Sequence, residues 1–468
     1  LGDICHSTGC LLMIVLHQIF NTMLRMKRKY AVSAFIGVCL MLFNHLVSAQ
    51  DSTQILTLAD AITRASSNNK SVQLAGIDEQ IAQSNYKQTD AIFLPQVGVS
   101  YTAMSTNNPL NAFGFKLQQK SITQADFNPD LLNHPSGTPD FSTQLSVQQP
   151  LLNLDMLYMR KGAAKQSELY QFKTKRTKEY VTYEVQKAYL QLQLAYDAVK
   201  VLQEAAQTAH AMYQLTNNYF NQGLVQKSDV LNAQVHESMV TTNLANAKSN
   251  IRNASDYLSF LMGVPAGLVY MIADKNIDDI IVADTAIKVP DARADFMAMK
   301  TAIEASNLMI KSSKMSYLPK LNAFGNYQLN DSRMFGFGAN AYLAGIQLSW
   351  NIFNGNRTKN TIVTKTLERN KLEQQLAQQK DQSQLELNKT NRDLQDARFQ
   401  IEQQHAAIQQ ATEALRILQN RYEQGLVKTT DVLMAETQLA QQKLGLAQAQ
   451  FNYQSTKAYI QFLTATTH

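Results

Sequence analysis

A chain's chemistry sits in its thiols, imidazoles, carboxylates and activated hydroxyls, and here their spacing offers an enzyme almost nothing. His134, His210, His236, His405 and His468 fall at intervals that suit no metal site. There is no Gly-x-x-x-x-Gly-Lys-Ser/Thr loop and no His-Glu-x-x-His stretch. Cys5, Cys10 and Cys39 are the only thiols, so residues 40–468 hold neither a disulfide framework nor a thiolate nucleophile. His405 borders a helical seam and reads as packed or solvated, and Gly336-Phe337-Gly338 reads as a loop. No nucleophile stands in register with a base. Catalysis, a metal and a cofactor are therefore not expected.

The carboxylates that do stand out are Asp229 and Asp431, because their surroundings repeat. Phe220 to Gln234 and Tyr422 to Glu436 share the frame Gln-Gly-Leu-Val-x-x-x-Asp-Val-Leu-x-Ala, 202 residues apart. Gly223 and Gly425 are placed to end one helix in a left-handed conformation. Ser228 or Asp229, and Thr430 or Asp431, are placed to cap the next. A second role is compatible with the first. Set around the end of a hollow assembly, the two aspartates form rings of carboxylate that narrow a pore and favour cations. Both readings stand on the residues alone.

The elements that must position these turns are long helices. Val185, Leu192, Val199, Ala206, Tyr213 and Phe220 fall seven apart, with Ala188, Ala195, Leu202, Ala209 and Thr216 as a companion seam. Leu394, Ile401, Ile408, Leu415 and Tyr422 repeat the pattern, beside Ala397, Gln404, Ala411 and Leu418. A strict heptad imposes left-handed coiled-coil packing. The pattern runs back to near Asp155 and near Arg357, which makes rods of about 100 Å at 1.5 Å per residue. A repeat of 202 residues is too long for a solenoid unit and marks duplication of one large half.

Each half reads as helix, strand, loop, strand, very long helix, turn, long helix. Thr57 and Asp60 open the first helix as N-cap and N3 acid. Leu94-Pro95 and Leu318-Pro319 are equivalent junctions at which proline ends a helix and admits a strand. Val97, Val99, Tyr101 and Ala103 alternate with polar residues, as do Leu145 and Val147, and Ile346, Leu348, Trp350 and Ile352. The run 321–329 alternates less cleanly because of Phe324. Apolar-out, polar-in segments of this kind make a membrane barrel wall or a half-buried soluble sheet. Residues 105–140, rich in Asn, Pro, Gly and Ser, read as a long surface loop, and the loop at 330–340 is shorter.

The chain's beginning points to export. Met26 is followed by Lys27-Arg28-Lys29, an apolar run from Ala31 to Val47 and the small-residue site Val47-Ser48-Ala49, so a signal peptide ending at Ala49 is expected. The expected organisation is an upstream extension and signal over 1–49, a first repeat over 50–263, a linker or equatorial segment over 264–292, and a second repeat over 293–468. Without the leader the formal charge falls from +6 to +3, which does not argue for nucleic acid. Past Val47 no apolar run approaches a spanning helix, so membrane entry requires a β-barrel.

Taken together, the Tyr422-x-x-Gly425-x-x-x-x-x-Asp431-Val432-Leu433 and Phe220-x-x-Gly223-x-x-x-x-x-Asp229-Val230 turns, the Leu-Pro junctions and the two halves make this chain resemble the TolC family of outer-membrane ducts. The resemblance covers about Leu56 to Phe462. It implies a mixed α and β membrane protein. Three chains, four strands each, form one 12-stranded outer-membrane barrel continuous with a helical coiled-coil tunnel in the periplasm. It implies a passive channel-tunnel of a tripartite efflux or type I export system, recruited by an inner-membrane transporter and a periplasmic adaptor. Four strands cannot close alone, which agrees with a homotrimer bedded in outer-membrane lipid. On matching positions Tyr422 hydrogen-bonds toward Asp229, near Ser228, as a closing latch, and Asp431 joins an acidic constriction. Gly223, Leu224, Gly425, Leu426, Val427 and Lys428 form the tip turns and adaptor contact. Two departures weaken this pattern: Met434 stands where some members carry a second acid, and Val427 where some carry arginine. The competing architecture is a periplasmic coiled-coil adaptor or scaffold, which usually has one hairpin rather than two.

Overall fold

The structure is a computed structural model and describes residues 53–273 and 288–466. The expected signal segment, its three cysteines and residues 274–287 of the expected linker lie outside the described residues.

Two helical hairpins dominate. In the first, α5 (Leu154–Asn221) turns into α6 (Lys227–Met262). In the second, α8 (Arg357–Glu423) turns into α9 (Thr429–Leu463). The 68 and 67 residues of α5 and α8 give rods of about 100 Å. On α5 the companion seam is the tight one, with Ala188, Ala195, Leu202, Ala209 and Thr216 all buried. Val199, Ala206, Tyr213 and Phe220 are only half-buried. Small side chains let neighbouring backbones approach there, while the larger residues fill the flank. α5 is enclosed by α6, α9, α2 (Lys70–Gln88) and α7 (Ala294–Met315), whereas α8 packs mainly on α9 and α7. The heptads on α8 are accordingly less covered within one chain: Leu394, Ala397, Leu415 and Tyr422 are buried and Ile401 and Ile408 half-buried.

The first expected helix is in fact two. After α1 (Leu58–Asn68), capped by Thr57 Oγ1 accepting from the Asp60 N–H at 3.1 Å, the chain breaks at Asn69. The buried Asn69 side chain accepts from the Ser71 N–H at 2.9 Å and donates to the Leu261 carbonyl at 2.8 Å. It thus caps α2 and ties it to α6, and a side chain that bonds local backbone is what breaks a helix. Around this point lies a core of Leu56, Tyr189, Leu192, Leu258, Met262 and Tyr270, closed by the short pair β1 (Thr53–Leu56) and β4 (Val269–Ile272).

Arg293 clamps the start of α7. Its fork meets Asp295 at 2.6 and 2.7 Å, and it also donates to Ser383 Oγ at 2.6 Å and the Leu463 carbonyl at 3.4 Å. Burial pushes the Asp295 carboxyl up, but hydrogen bonds and charge from Arg293, with the nearby Arg176, hold it below its ordinary value.

Four strands form one antiparallel sheet in the order β2 (Gln96–Thr106), β3 (Thr138–Leu152), β5 (Lys320–Asp331), β6 (Ala339–Ser349). β6 ends before Trp350 and Ile352, which lie past the strand rather than in it. Register sorts the two faces. Val99, Leu145, Tyr327 and Tyr342 form one row across all four strands, and Val97, Val147, Gly325 and Ala344 another. The opposite face carries the rows Ser100, Gln144, Gln328, Ala341 and Thr102, Ser142, Asn330, Ala339. Phe324, the residue that breaks the alternation, lies against Gly345, where a Cβ would come within 3.0 Å of the ring. Exposed Phe93, Tyr317, Trp350 and Phe353 border the apolar face at the helix end, and Tyr101, Phe335 and Phe337 at the loop end. An apolar face between two aromatic girdles is the wall of a membrane barrel. β2 and β6 are free edges of this sheet, which other copies must pair.

The expected loop over 105–140 contains α3 (Pro109–Gln118) and the short α4 (Pro129–Asn133). Asn108-Pro109 and Asn128-Pro129 punctuate the chain as N-cap followed by proline at the first helical position, so residues that suit loops here start helices. No helix among the described residues is long and apolar enough to cross a membrane.

Candidate functional site

The glycine turns at the two hairpin tips are closed by the same backbone bonds. At the end of α5, Gly223 adopts φ +76° and its N–H donates to the Phe220 carbonyl at 2.9 Å, while the Leu224 N–H reaches the Tyr219 carbonyl at 2.9 Å. At the end of α8, Gly425 at φ +70° donates to Tyr422 and Leu426 to Arg421, both at 2.9 Å. These paired bonds close the last helical carbonyls, and the left-handed residue between them favours glycine.

The next helix starts earlier than expected, and the expected aspartates cap it from the third helical position rather than from the N-cap itself. Gln226 and Lys428 are the N-caps, and Asp229 and Asp431 stand at N3. Each aspartate reaches back: Asp229 Oδ2 accepts from the Gln226 N–H at 3.0 Å, and Asp431 Oδ2 from the Lys428 N–H at 3.1 Å. Ser228 and Thr430 are not caps, and Ser228 Oγ lies 3.4 Å from Gln226 Oε1. A carboxylate at N3 also meets the positive end of the helix dipole. Asp229 remains half-buried and Asp431 exposed, so each caps its helix while keeping contact with solvent.

Tyr422 does not bond Asp229 in this conformation. Its ring is 4% exposed, packs beside Tyr219 at 5.7 Å between centroids, and belongs to an apolar cluster with Met212, Ala233, Leu415, Val432 and Leu433. Its hydroxyl sits 3.1 Å from Thr429 Oγ1 and 3.3 Å from Thr216 Oγ1. Thr216 Oγ1 also donates to the Met212 carbonyl at 2.8 Å. One buried hydroxyl network thus joins α5, the end of α8 and the start of α9. The geometry explains the mismatch with expectation: Asp229 is held back over its own helix start, while Tyr422 points into the seam. Val427 is half-buried against the same cluster, so its side chain serves the tip core. Leu224 and Leu426 do the opposite, standing 67% and 68% exposed at the two turns, with Lys428 exposed beside the second.

Sequence reasoning missed Thr216 and Thr429. The signal was present in Thr216, the one polar residue in a seam otherwise of Ala and Leu. It also missed a buried pair about two to three helical turns behind the tip, His236 on α6 and Glu436 on α9, with Nε2 3.5 Å from Oε2. These two residues border a groove of about 230 Å³ between the hairpins, also lined by Leu202, Val240 and Leu439. They were invisible as a pair because they lie 200 residues apart on different hairpins. Among the described residues, no group of three or more His, Cys, Asp or Glu side chains is placed to hold a metal.

Comparison with known proteins agrees with this architecture. Residues 61–264 and 290–466 match the family of outer membrane efflux proteins. No curated protein is a significant match in sequence. Among solved structures the chain is similar to CusC, at 17% identity and a TM-score of 0.74 over 88% of this chain and 92% of that one. It is similar to the outer membrane protein VceC of Vibrio cholerae at 17% identity and a TM-score of 0.70, over 87% and 96%. The open state of the Neisseria gonorrhoeae MtrE outer membrane channel is similar at 14% identity and a TM-score of 0.67, over 87% and 88%. The two matched segments bracket the two hairpins and the two strand pairs, and the chain belongs to the outer membrane efflux protein family: it is a trimeric outer-membrane channel with a periplasmic helical tunnel, and not an enzyme.

Proposed function

We propose that this channel is the passive exit duct of a tripartite efflux or type I export assembly, closed at its periplasmic tip at rest and recruited by an inner-membrane transporter through a periplasmic adaptor. The observation that carries the reading is the turn that the two tips share. Each ends a rod of about 100 Å in the same glycine turn and presents one exposed leucine, Leu224 or Leu426. A partner with a single helical hairpin meets near-equivalent docking points at every tip of the trimer. Isolated exposed leucines at a rod's end contribute nothing to the chain's own core, and apolar anchors of this kind suit a partner surface.

In this reading the constriction is formed by Asp431 and Asp229, and the buried Tyr422 network holds the tip packed. Tyr422 acts with Thr216 and Thr429 rather than with Asp229. Selectivity is steric and electrostatic, and transport energy comes from the transporter. The adaptor alternative is set aside: an adaptor needs no sheet with an apolar face between aromatic girdles.

The test is conductance of the purified trimer in a planar bilayer, with Leu224→Glu and Leu426→Glu assayed in cells for export. A small steady conductance, together with lost export but intact trimers in the leucine variants, is expected. A well-folded trimer without conductance would overturn the duct, and full export by the double leucine variant would overturn docking at the tips.

A further inference from the structure

The stretch between β2 and β3 is the longest excursion at the loop end of the sheet, and it is built rather than loose. Asn108 Oδ1 accepts from the Asn111 N–H at 3.2 Å to start α3. Phe113 meets Phe127 edge to face at 5.8 Å. Lys116 Nζ lies 2.6 Å from Asp126 Oδ1, and Asp126 also accepts from the Thr123 N–H at 2.7 Å. Those bonds, the lysine's first, hold the Asp126 carboxyl down at about 2, so the pair is ionised across the physiological range.

Its position is the informative part. The polar face of the sheet is the lumen face of the barrel. At its loop end Asp140, Ser142, Asn330 and Ala339 are buried within a single chain. They are covered by α3, which packs on both β3 and β6. Gln119 Nε2 donates to Asp140 Oδ1 at 2.9 Å and Asn330 Nδ2 donates to Asp140 Oδ2 at 2.9 Å. The short β5–β6 turn behaves differently. Phe335 folds onto Tyr101 of the apolar face, with centroids 5.4 Å apart. One excursion therefore lies inside the barrel mouth and the other outside it.

Size decides the consequence. Twelve strands at about 4.8 Å spacing and about 40° tilt enclose a backbone circle about 24 Å across. Three rods about 10 Å thick touch one another inside a circle of about 22 Å. Leu110, Leu117, Phe127 and Leu131 of the excursion are exposed in the single chain, Leu110 by 81%. An element on the lumen wall cannot turn these side chains to lipid, and exposed apolar clusters call for a cover. The sister copies at the axis supply it.

We propose that residues 107–137 form an extracellular cap, three copies of which meet at the barrel axis through these apolar side chains and close the resting exit to large solutes. The channel then has a second constriction, opposite the periplasmic tips and independent of them. This rests on the trimeric barrel but not on the tip gate.

The test places a single cysteine behind the cap. Ser146→Cys, on the lumen face below the cap, is made in a chain whose Cys5, Cys10 and Cys39 are serine. Intact cells are treated from outside with a small charged thiol reagent and with a bulky polymer-linked maleimide. The bulky reagent is expected to label roughly tenfold more slowly relative to the small one, an added entry barrier of about 1.4 kcal/mol. Replacing residues 109–133 by a short Gly-Ser linker abolishes the difference. Because that variant alters folding most, Gln119→Ala with Asp140→Asn, which unpins α3 and keeps its sequence, is run beside it and gives an intermediate ratio. Leu110→Cys in the same background yields covalent dimers on mild oxidation. Equal labelling of the capped chain by both reagents, or no cross-linking at Leu110 in assembled trimers, would overturn the cap.

Discussion

The tip network makes a prediction that separates two ways of packing the proposed periplasmic gate. Tyr422→Phe removes one hydroxyl from a buried site and leaves the ring in place. Thr216 Oγ1 keeps its 2.8 Å bond to Met212, and its 3.3 Å contact with Tyr422 is long for two hydroxyls, so little is lost there. Thr429 is 1% exposed and its side chain loses the 3.1 Å bond to the phenol. A net hydrogen bond is worth about 1 kcal/mol, and a stranded buried hydroxyl costs about 1–3 kcal/mol. The long contacts favour the lower half, so the expected local loss is about 1–2 kcal/mol, a factor of about 5–30 in the packed-to-splayed ratio. Hydrogen exchange at residues 422–432 reads that ratio directly, and the open fraction in a planar bilayer reads it functionally. Thr429→Val removes the partner as well and leaves nothing stranded. The double variant should therefore lose less than the sum of the singles, with a coupling of about 1 kcal/mol. Asp229→Asn should couple to Tyr422 by close to nothing, because its carboxylate is spent on the Gln226 N–H. A larger coupling of Tyr422 to Asp229 than to Thr429 would refute the network.

Three further outcomes follow from the same structure. Gly425→Ala, forced to φ +70°, should destabilise the second tip by about 1–2 kcal/mol, seen as faster exchange at the turn with the trimer's denaturant midpoint little changed. Arg293→Ala leaves the Asp295 carboxylate with Gln379 and a distant Arg176, so the loss should be about 3 kcal/mol in denaturant titration, at the low end for a broken buried pair; Arg293→Lys should not restore it, since an ammonium lacks the fork. The Tyr183 phenol is pushed up to about 12, by burial first and then by the charge of Glu184; because the fold disfavours its anion, the folded chain loses stability as pH rises from the unfolded value near 10 toward 12 and is unaffected by this group below 10; an ultraviolet phenolate titration of Tyr183→Phe should lack one late-titrating tyrosine, and an unchanged late phase would contradict this.

Much of this architecture was legible because it is repetitive and periodic. The 202-residue repeat located both tips, and heptads running to Asp155 and Arg357 set the rods to within a residue or two of their observed ends. Leu-Pro junctions set the starts of β2 and β5. What the residues did not disclose is where periodicity carries no information. Asn69 broke a helix whose apolar spacing continues through it, because the decisive bond goes to Leu261, 192 residues away. Asn-Pro pairs in the long excursion have two meanings, turn or helix start, and only packing of α3 on the lumen face chose the second.

The latch shows the limit most sharply. Matching turns suggest that Tyr422 and Asp229 meet, but a carboxylate at N3 has a competing partner three residues back in its own chain. A bond over three residues carries almost no loop-closure cost, whereas one between hairpins requires both to be fixed first. Local capping therefore takes Asp229, and the phenol falls to the buried hydroxyls beside it, Thr216 and Thr429. The same competition bears on the constriction. Asp229 and Asp431 each give one oxygen to a backbone N–H and sit at a positive helix end, so part of their charge is answered before any ion arrives. With Met434 in place of a second acid and Lys428 exposed beside Asp431, a ring built from these tips selects cations weakly. Exchanging Met434 for Glu, which adds an uncommitted carboxylate one helical turn on, should raise cation preference in bilayer reversal potentials more than Lys428→Ala does. The reverse order would mean that the lysine, and not the missing acid, sets the field at the tip.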